Sequence, residues 1–579
     1  MKKYLLTLAV LLVALFAFGA CSSNNDPEPT QATTTAPPAA AATTQTPTQA
    51  PGGQITVPDV TAPPEDSLVP DFASMDPIEL TIHYIFASQV WQDDWQVWQQ
   101  IAEHTGVTLV GVADEVNLNA AQAFELAAVE GFPAHIYGGT LMPQMRNFGM
   151  QGAFIPLQDL IAEHAPYFNS LMERFPQIRE LITAPDGNIY FMPNLNDMFT
   201  SFAVGEVYWI RQDWLDMLDL DTPNTYYEFE YVLTRFRDDI PALTGNDWVA
   251  PFFSNSVNGG IRQLAPLWGA RVQTFGANRV GPSVDDVNTL VHWWLEPEFM
   301  VAIQNISRWF QEGLIDPEFF TRGALNRQEL FGSNQGGSLH HFPMSTGDFN
   351  PIIRATNPDF TIMPMLPPIN TRGERWNEPQ RGLLAGNAWA ITPHNPDPVR
   401  TVQMMDFLYH GIGRLLLNFG PYGVTWEFDA DGEPVFLPYV TESGEPTLNI
   451  VRHRHGAVGA FPYMADLRYE LAAGTIYTTI AQRMYYEDRP AGYAPGFWVP
   501  HMESFVLSEA DQQVVTEINA QLVAFMNETI HGFILNDWNE IEVQWGAFVE
   551  QSIRFGAHEL VEIFQRAYDD RIARTGLAW

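Results

Sequence analysis

Residues 78–86 read IELTIHYIF, with Leu80, Ile82, Tyr84 and Phe86 alternating against Glu79, Thr81 and His83. A period of two over such a run predicts a half-buried strand. Further along, Trp91, Trp95, Trp98 and Ala102 recur at spacings of 4, 3 and 4, the stripe of a helix over 93–104. Gly106 stops it, and 107–112 is a second strand. A helical stretch over 119–130 leads to a short strand at 134–137, ended by Gly138-Gly139. Strand, helix, strand, helix, strand is the order of a parallel α/β sheet. Ligands of such sheets bind outside the carboxyl ends of the strands. The turns 87–89 and 138–140 are therefore candidate ligand loops, with Gly138 and Gly139 as candidate contacts.

Toward the N-terminus the chain changes character. Residues 1–20 read as a secretory leader, with Lys2 and Lys3 ahead of an apolar core from Leu5 to Phe18. The core ends in Phe18-Gly19-Ala20-Cys21, which resembles a lipobox whose thiol is diacylated. Cys21 is the only cysteine, so no intramolecular disulfide is expected. Residues 21–71 are rich in Thr, Ala, Pro and Gln, and 22–71 hold no aromatic; such a segment reads as a disordered spacer. As a flexible coil of about 50 residues it spans on the order of 40 Å. Lipid, spacer and large domain together point to a protein anchored on the extracytoplasmic face of a cell membrane.

The 579 residues exceed one domain, and 17 Trp, 19 Tyr and 38 Phe exclude disorder over most of the length. A mean hydropathy of -0.11 and a single long apolar run exclude a multi-span membrane protein. With 29 Lys+Arg against 68 Asp+Glu the net charge is -39, which opposes binding to nucleic acid and disfavours self-association; a monomer is expected.

Beyond residue 180, helices are expected at 213–220, 225–239, 298–313, 398–409, 508–527 and 537–573. Between them stand GNIYFMP at 187–193, WIRQDWL at 209–215, Pro223 and Phe229, WFQEGLIDPEFF at 309–320, AWAI at 388–391, NFGPYGV at 418–424 with EFDADG at 427–432, and WGAFVE at 545–550 running to Tyr568. In this order the blocks resemble extracellular solute-binding proteins of family 1, the substrate receptors of ABC importers, in their large lipoprotein branch. The resemblance implies a two-lobed α/β fold of the periplasmic-binding-protein type II. Each lobe would be a mainly parallel sheet flanked by helices, with a ligand cleft between lobes. By analogy, lobe one is 76–193 plus 366–421 and lobe two 200–363 plus 425–579. The crossings would fall near 193–201, 363–368 and 421–425. The implied partners are a small-molecule solute and the transmembrane subunits of an ABC permease. Several relatives carry a calcium loop after the helix matching 225–239, but Asp238-Asp239-Ile240-Pro241-Ala242-Leu243-Thr244-Gly245-Asn246-Asp247 lacks the oxygen-ligand spacing. His453 and His455 lack further ligands at close spacing, so no metal and no cofactor are expected.

Sugars present apolar C–H faces that stack on aromatic rings, and hydroxyls that need polar partners. By their sequence neighbours, Trp91 at the strand-to-helix loop, Trp268 before Gly269, Trp389 after Asn387 and Trp498 before Val499-Pro500 are the candidate platforms. Arg211, which follows a strand near the implied hinge, and His340 and His341, which the resemblance places where relatives run a strand ending at the cleft, are candidate polar contacts. A carbohydrate, in particular an oligosaccharide, is the expected ligand; a peptide or another small organic solute is the alternative. There is no H-E-x-x-H, G-x-S-x-G or catalytic cysteine, so a binding protein is expected rather than an enzyme. A surface glycoside hydrolase with two cleft carboxylates, and an adhesin, stay open as other classes.

Overall fold

The computed structural model describes residues 70–86, 89–113, 120–139, 142–196, 206–272, 279–286, 288–322, 326–347, 349–376, 383–441, 443, 448–466, 468–469, 476–486 and 507–575. The leader, Cys21, the spacer as far as residue 69, and Trp498 lie outside them, as do Ala87, Ser88 and Thr140 of the expected ligand loops.

The alternating run that opens the domain forms β1 (Ile78–Phe86), with Leu80, Ile82 and Tyr84 inside. Its sheet also contains β2 (Gln89–Val90), β3 (Val107–Gly111), β4 (Ile136–Gly139), β5 (Met192–Leu195) and β12 (Leu384–Ile391). β3 and β4 flank β1 in parallel, whereas β12 runs antiparallel to both β4 and β5. The second sheet has the order β11 (Ile362–Met365), β6 (Val207–Arg211), β10 (Gly336–His341), β7 (Ala250–Phe252). There β10 and β7 are parallel, and β6 opposes both β10 and β11. Two hairpins complete the strands: β8 (Val280–Pro282) with β9 (Leu290–His292), and β13 (Trp426–Phe428) with β14 (Pro434–Phe436).

Both sheets are thus mixed rather than mainly parallel, and the connections give the reason. β12 and β6 are each the first strand after the chain arrives from the other sheet. They enter at the carboxyl edge and must run back against their neighbours. Every residue of β6 is buried: Val207 and Trp209 join one core, Tyr208 and Ile210 another, because helices cover both faces of the sheet.

Three expectations are corrected. The stretch 425–579 does not fall as one piece in the second lobe. Residues 457–464 pack into the core of the first sheet, where Leu195 and Met464 form a bridge. The turn at 421–425 stays on the first lobe as well, clamped by Gln100, whose amide donates to the Tyr422 carbonyl (2.9 Å) and accepts its N–H (2.8 Å). The last passage to the second lobe follows Met464 and precedes the helix Ile476–Tyr486, whose Ala481 and Tyr485 pack on the second sheet. The helix expected over 537–573 is two, Ile541–Arg554 and Ala557–Thr575, broken at Gly556. That glycine has φ +96°, and a Cβ there would come within 2.8 Å of Ile518.

Candidate functional site

The strand directions locate the site. β1, β4 and β5 end at the edge of the first sheet where β12 begins, and β10 and β11 end at the edge of the second where β6 begins. The chain leaves β5 at Leu195 and starts β6 at Val207, so the linker is residues 196–206. It returns from β11 at Met365 to β12 at Leu384, through 366–383. Each crossing therefore ties the carboxyl edge of one sheet to the carboxyl edge of the other, and both edges border one interlobe site.

On the second lobe this edge carries a buried polar network. Glu206 stands one residue before β6, and its Oε2 accepts from Arg262 Nη2 at 2.7 Å and lies 3.4 Å from His340 Nδ1. Arg262 is held by the helix Val257–Leu264, whose N-terminus Ser256 caps through the Gly259 N–H. Gln263 on that helix donates to the His340 carbonyl (2.8 Å) and receives the Tyr208 hydroxyl on its own carbonyl. Arg327 Nη1 approaches His341 Nδ1 (3.1 Å) and Thr346 Oγ1 (3.3 Å). Burial alone would raise the Glu206 carboxyl, but its hydrogen bond to His340 and the Arg262 charge hold it well below the usual carboxylate range. Burial, reinforced by the Arg327 charge, pushes His341 down to about 3, so its ring is neutral and accepts from the guanidinium. The edge thus offers a carboxylate, neutral imidazole and guanidinium donors within a few ångströms of one another.

The first lobe closes its edge differently. Residues 456–465 lie across the strand ends: Tyr84 OH donates to the Gly459 carbonyl (2.6 Å), Trp389 Nε1 to Ala460 (3.0 Å), and Leu195 N to Tyr463 (2.8 Å). Beneath them Trp98 stacks on Trp389 with centroids 5.3 Å apart, Trp91 leans on Trp95 and Trp98, and Phe461 stacks on Tyr84. Tyr463, half-buried, is the aromatic that this segment leaves partly open.

These positions redistribute the residues singled out from sequence. Trp91 and Trp389 are 6% and 0% exposed, with their faces taken by protein. Gly138 serves that packing, since a Cβ there would come within 2.5 Å of Trp389 Nε1, and Gly139 adopts φ +146° beside it. Trp268 is buried edge-on against Trp309 in the second-lobe core. Arg211 lies at the far end of β6, away from the carboxyl edge. Its guanidinium is sandwiched between Trp214 and Phe360 and grips Asp213 through two bonds of 2.8 and 2.6 Å. A committed, fully buried pair of this kind is a structural device, not a ligand contact. Of the singled-out residues that are described, only His340 and His341 sit in the edge network. Glu206, Arg262, Arg327 and Tyr463 were not singled out; the position of Glu206 just before a buried strand is the one local signal that could have marked it.

No protein-family model matches the chain. The fructooligosaccharide ABC transporter substrate-binding protein FusA of Streptococcus pneumoniae is 23% identical over 454 residues, covering 73% of this chain and 77% of its own. Lipoprotein LipO of Bacillus subtilis is 26% identical over 138 residues, 23% of this chain and 25% of its own. Among solved structures, the alginate-binding protein AlgQ2, crystallised without calcium ion, superposes with a TM-score of 0.73 and 30% identity over 87% of this chain and 100% of that one. FusA in complex with kestose shares the fold, with a TM-score of 0.68 at 18% identity over 86% and 100% of the two chains. With that likeness over its full globular length, the chain belongs to the extracellular solute-binding proteins of ABC transporters.

Proposed function

We propose that the protein captures a carbohydrate, an oligosaccharide, between the two carboxyl edges and delivers it to an ABC permease. The observation that carries this reading is the polar edge built by Glu206, Arg262, His340, His341 and Arg327, where both crossings meet. Sugar hydroxyls need donors and acceptors side by side, and an ionised carboxylate among guanidinium groups and neutral imidazole supplies both. The ligands of its relatives FusA and AlgQ2, fructooligosaccharide and alginate, are of the same class.

In this reading the lobes are 76–193 with 366–465, and 200–363 with the helices after residue 476. They close about the crossings on the ligand as a monomer. The protein acts as a receptor and returns the sugar unaltered. It stands on the extracytoplasmic face, tethered by lipid on Cys21 through the spacer. Among the described residues no helix is long and apolar enough to cross a membrane.

Thermal unfolding with kestose, longer fructo-oligosaccharides, alginate oligomers and control peptides tests the reading. Ligand at a hundredfold excess over Kd adds about 2.7 kcal/mol to the folded state. A rise in Tm with one sugar class, and recovery of that sugar intact, is the expected result. A rise with peptides alone, or conversion of the sugar, overturns it.

A further inference from the structure

The hairpin β13–β14 is fixed in the first lobe and carries an exposed part built like a contact surface. Inside, Trp426 is buried against Phe419 and donates Nε1 to the Gly420 carbonyl at 2.7 Å, while Thr425 Oγ1 donates to the Phe419 carbonyl at 2.9 Å. At the tip, Asp429 Oδ1 accepts the N–H groups of Asp431 and Glu433, both at 2.9 Å. The hairpin is therefore rigid. Beside Trp426 on the same side of β13, Phe428 lies edge-on to it but is 43% exposed, Tyr422 is 45% exposed with its ring 5.9 Å from that of Phe428, and Tyr439 beyond β14 is 50% exposed against His455. Glu427, Asp429, Asp431 and Glu433 are exposed along the same hairpin, next to Phe428 in sequence or at its tip, and among the described residues the ion pair they make is that of Glu433 with Arg468 at 3.3 Å.

Its place in the fold is specific. The two Gln100–Tyr422 bonds fasten the turn before β13 to the helix Gln96–Thr105, which starts just beyond the carboxyl end of β1. The first turn of that helix also donates its Val97 N–H to the His455 carbonyl, at the start of the segment across the strand ends. The hairpin thus stands beside the mouth of the interlobe site, where a solute has to leave.

Aromatic faces fringed by carboxylates bind ammonium and guanidinium groups, by cation–π attraction and by ion pairing. Exposed aromatic patches of this kind mark protein interfaces. A second copy of a chain with net charge -39, an anionic lipid surface and a nucleic acid are all repelled by this face. A basic protein loop is not.

We propose that the β13–β14 hairpin is the first lobe's docking face for the permease, received by Arg- or Lys-bearing extracytoplasmic loops of a transmembrane subunit. The assignment rests on the importer reading but not on the identity of the sugar. The test uses the intact lipoprotein in cells carrying its importer, with the photoreactive amino acid benzoyl-phenylalanine placed at Phe428 or, as a control on the second lobe, at Val543, which is 79% exposed. Irradiation should join the Phe428 probe, and not the Val543 probe, to a permease transmembrane subunit identified by mass spectrometry. Adding Glu427→Arg and Asp431→Arg should cut that adduct at least tenfold, while the purified variant keeps the wild-type Tm and sugar-induced shift. No permease adduct from Phe428, an adduct only with a second copy or with lipid, or a yield indifferent to charge reversal overturns the proposal. Failure of the carbohydrate reading would show separately, in the unfolding experiment with sugars.

Discussion

Segment 456–465 and the pair His340-His341 occupy corresponding places, each across the carboxyl edge of a sheet, but they are made of different material. The first lays backbone carbonyls over a bed of Trp91, Trp95, Trp98 and Trp389. The second leaves charged and polar side chains at the edge itself, tied to one another by hydrogen bonds. The indole rings that look made for sugars carry the fold of the first lobe, and groups scattered from 206 to 346 carry the polar chemistry of the second. Aromatic abundance and ligand contact are separable quantities in this protein.

That contrast breaks most visibly at Trp389. Trp389→Ala removes a fully buried ring and its bond to Ala460, and should cost about 3–5 kcal/mol of stability with sugar affinity of the folded fraction unchanged. Denaturant titration beside calorimetric binding decides it: normal stability with lost affinity would return the ring to the ligand. Gly138→Ala tests the same bed from beneath. The added methyl meets Trp389 Nε1, and overpacking should cost about 1–3 kcal/mol in the same titration, again with affinity unaltered.

On the polar side, Glu206→Gln keeps the shape but removes the charge facing Arg262 and His340. Sugar affinity should fall about tenfold, the equivalent of about 1.4 kcal/mol. The pH dependence carries a sign. Because the folded carboxyl titrates below its unfolded value of about 4.3, its contribution is whole above that pH and is lost as pH falls below it. Tm of the wild type should therefore drop more steeply than that of Glu206→Gln as pH falls below about 4.3. Parallel curves would mean that Glu206 does not hold the edge together. The smallest effect is expected from Tyr463→Ala, a half-buried ring above the Trp bed: affinity weaker by about fivefold, or roughly 1 kcal/mol, and Tm almost unmoved.

Much of the fold was legible because it is written in local periods. The alternation of Ile78–Phe86 and the stripe of Trp95 and Trp98 need only neighbouring residues to be read, and both appear as expected. The site was not legible, because long-range partners decide it. Trp91 and Trp389 were placed near the cleft by their sequence neighbours, yet the segment that covers them lies at residues 456–465. Arg211 follows a strand as a cleft residue would, but Phe360 and Asn334 claim its guanidinium. His340 and His341 were singled out through the family resemblance and lie in the edge network; Glu206, Arg262 and Arg327 gain meaning only once three separate elements converge. The mixed strand directions had the same origin, since only the crossings dictate that β12 and β6 run backward.

The segment laid across the first sheet also sets a clock. β1 is complete at Phe86, yet the Tyr84 hydroxyl finds its partner only at Gly459, 375 residues later. At roughly 5–20 residues per second, the opening strands wait on the order of 20–80 s for the stretch that caps them. Contacts so distant in sequence slow folding, because a long loop must close before any of them stabilises the chain. On a nascent polypeptide of this design the first sheet stays uncapped until residue 459 of 579 has been made, so its opening strands are the last of the lobe to become fixed.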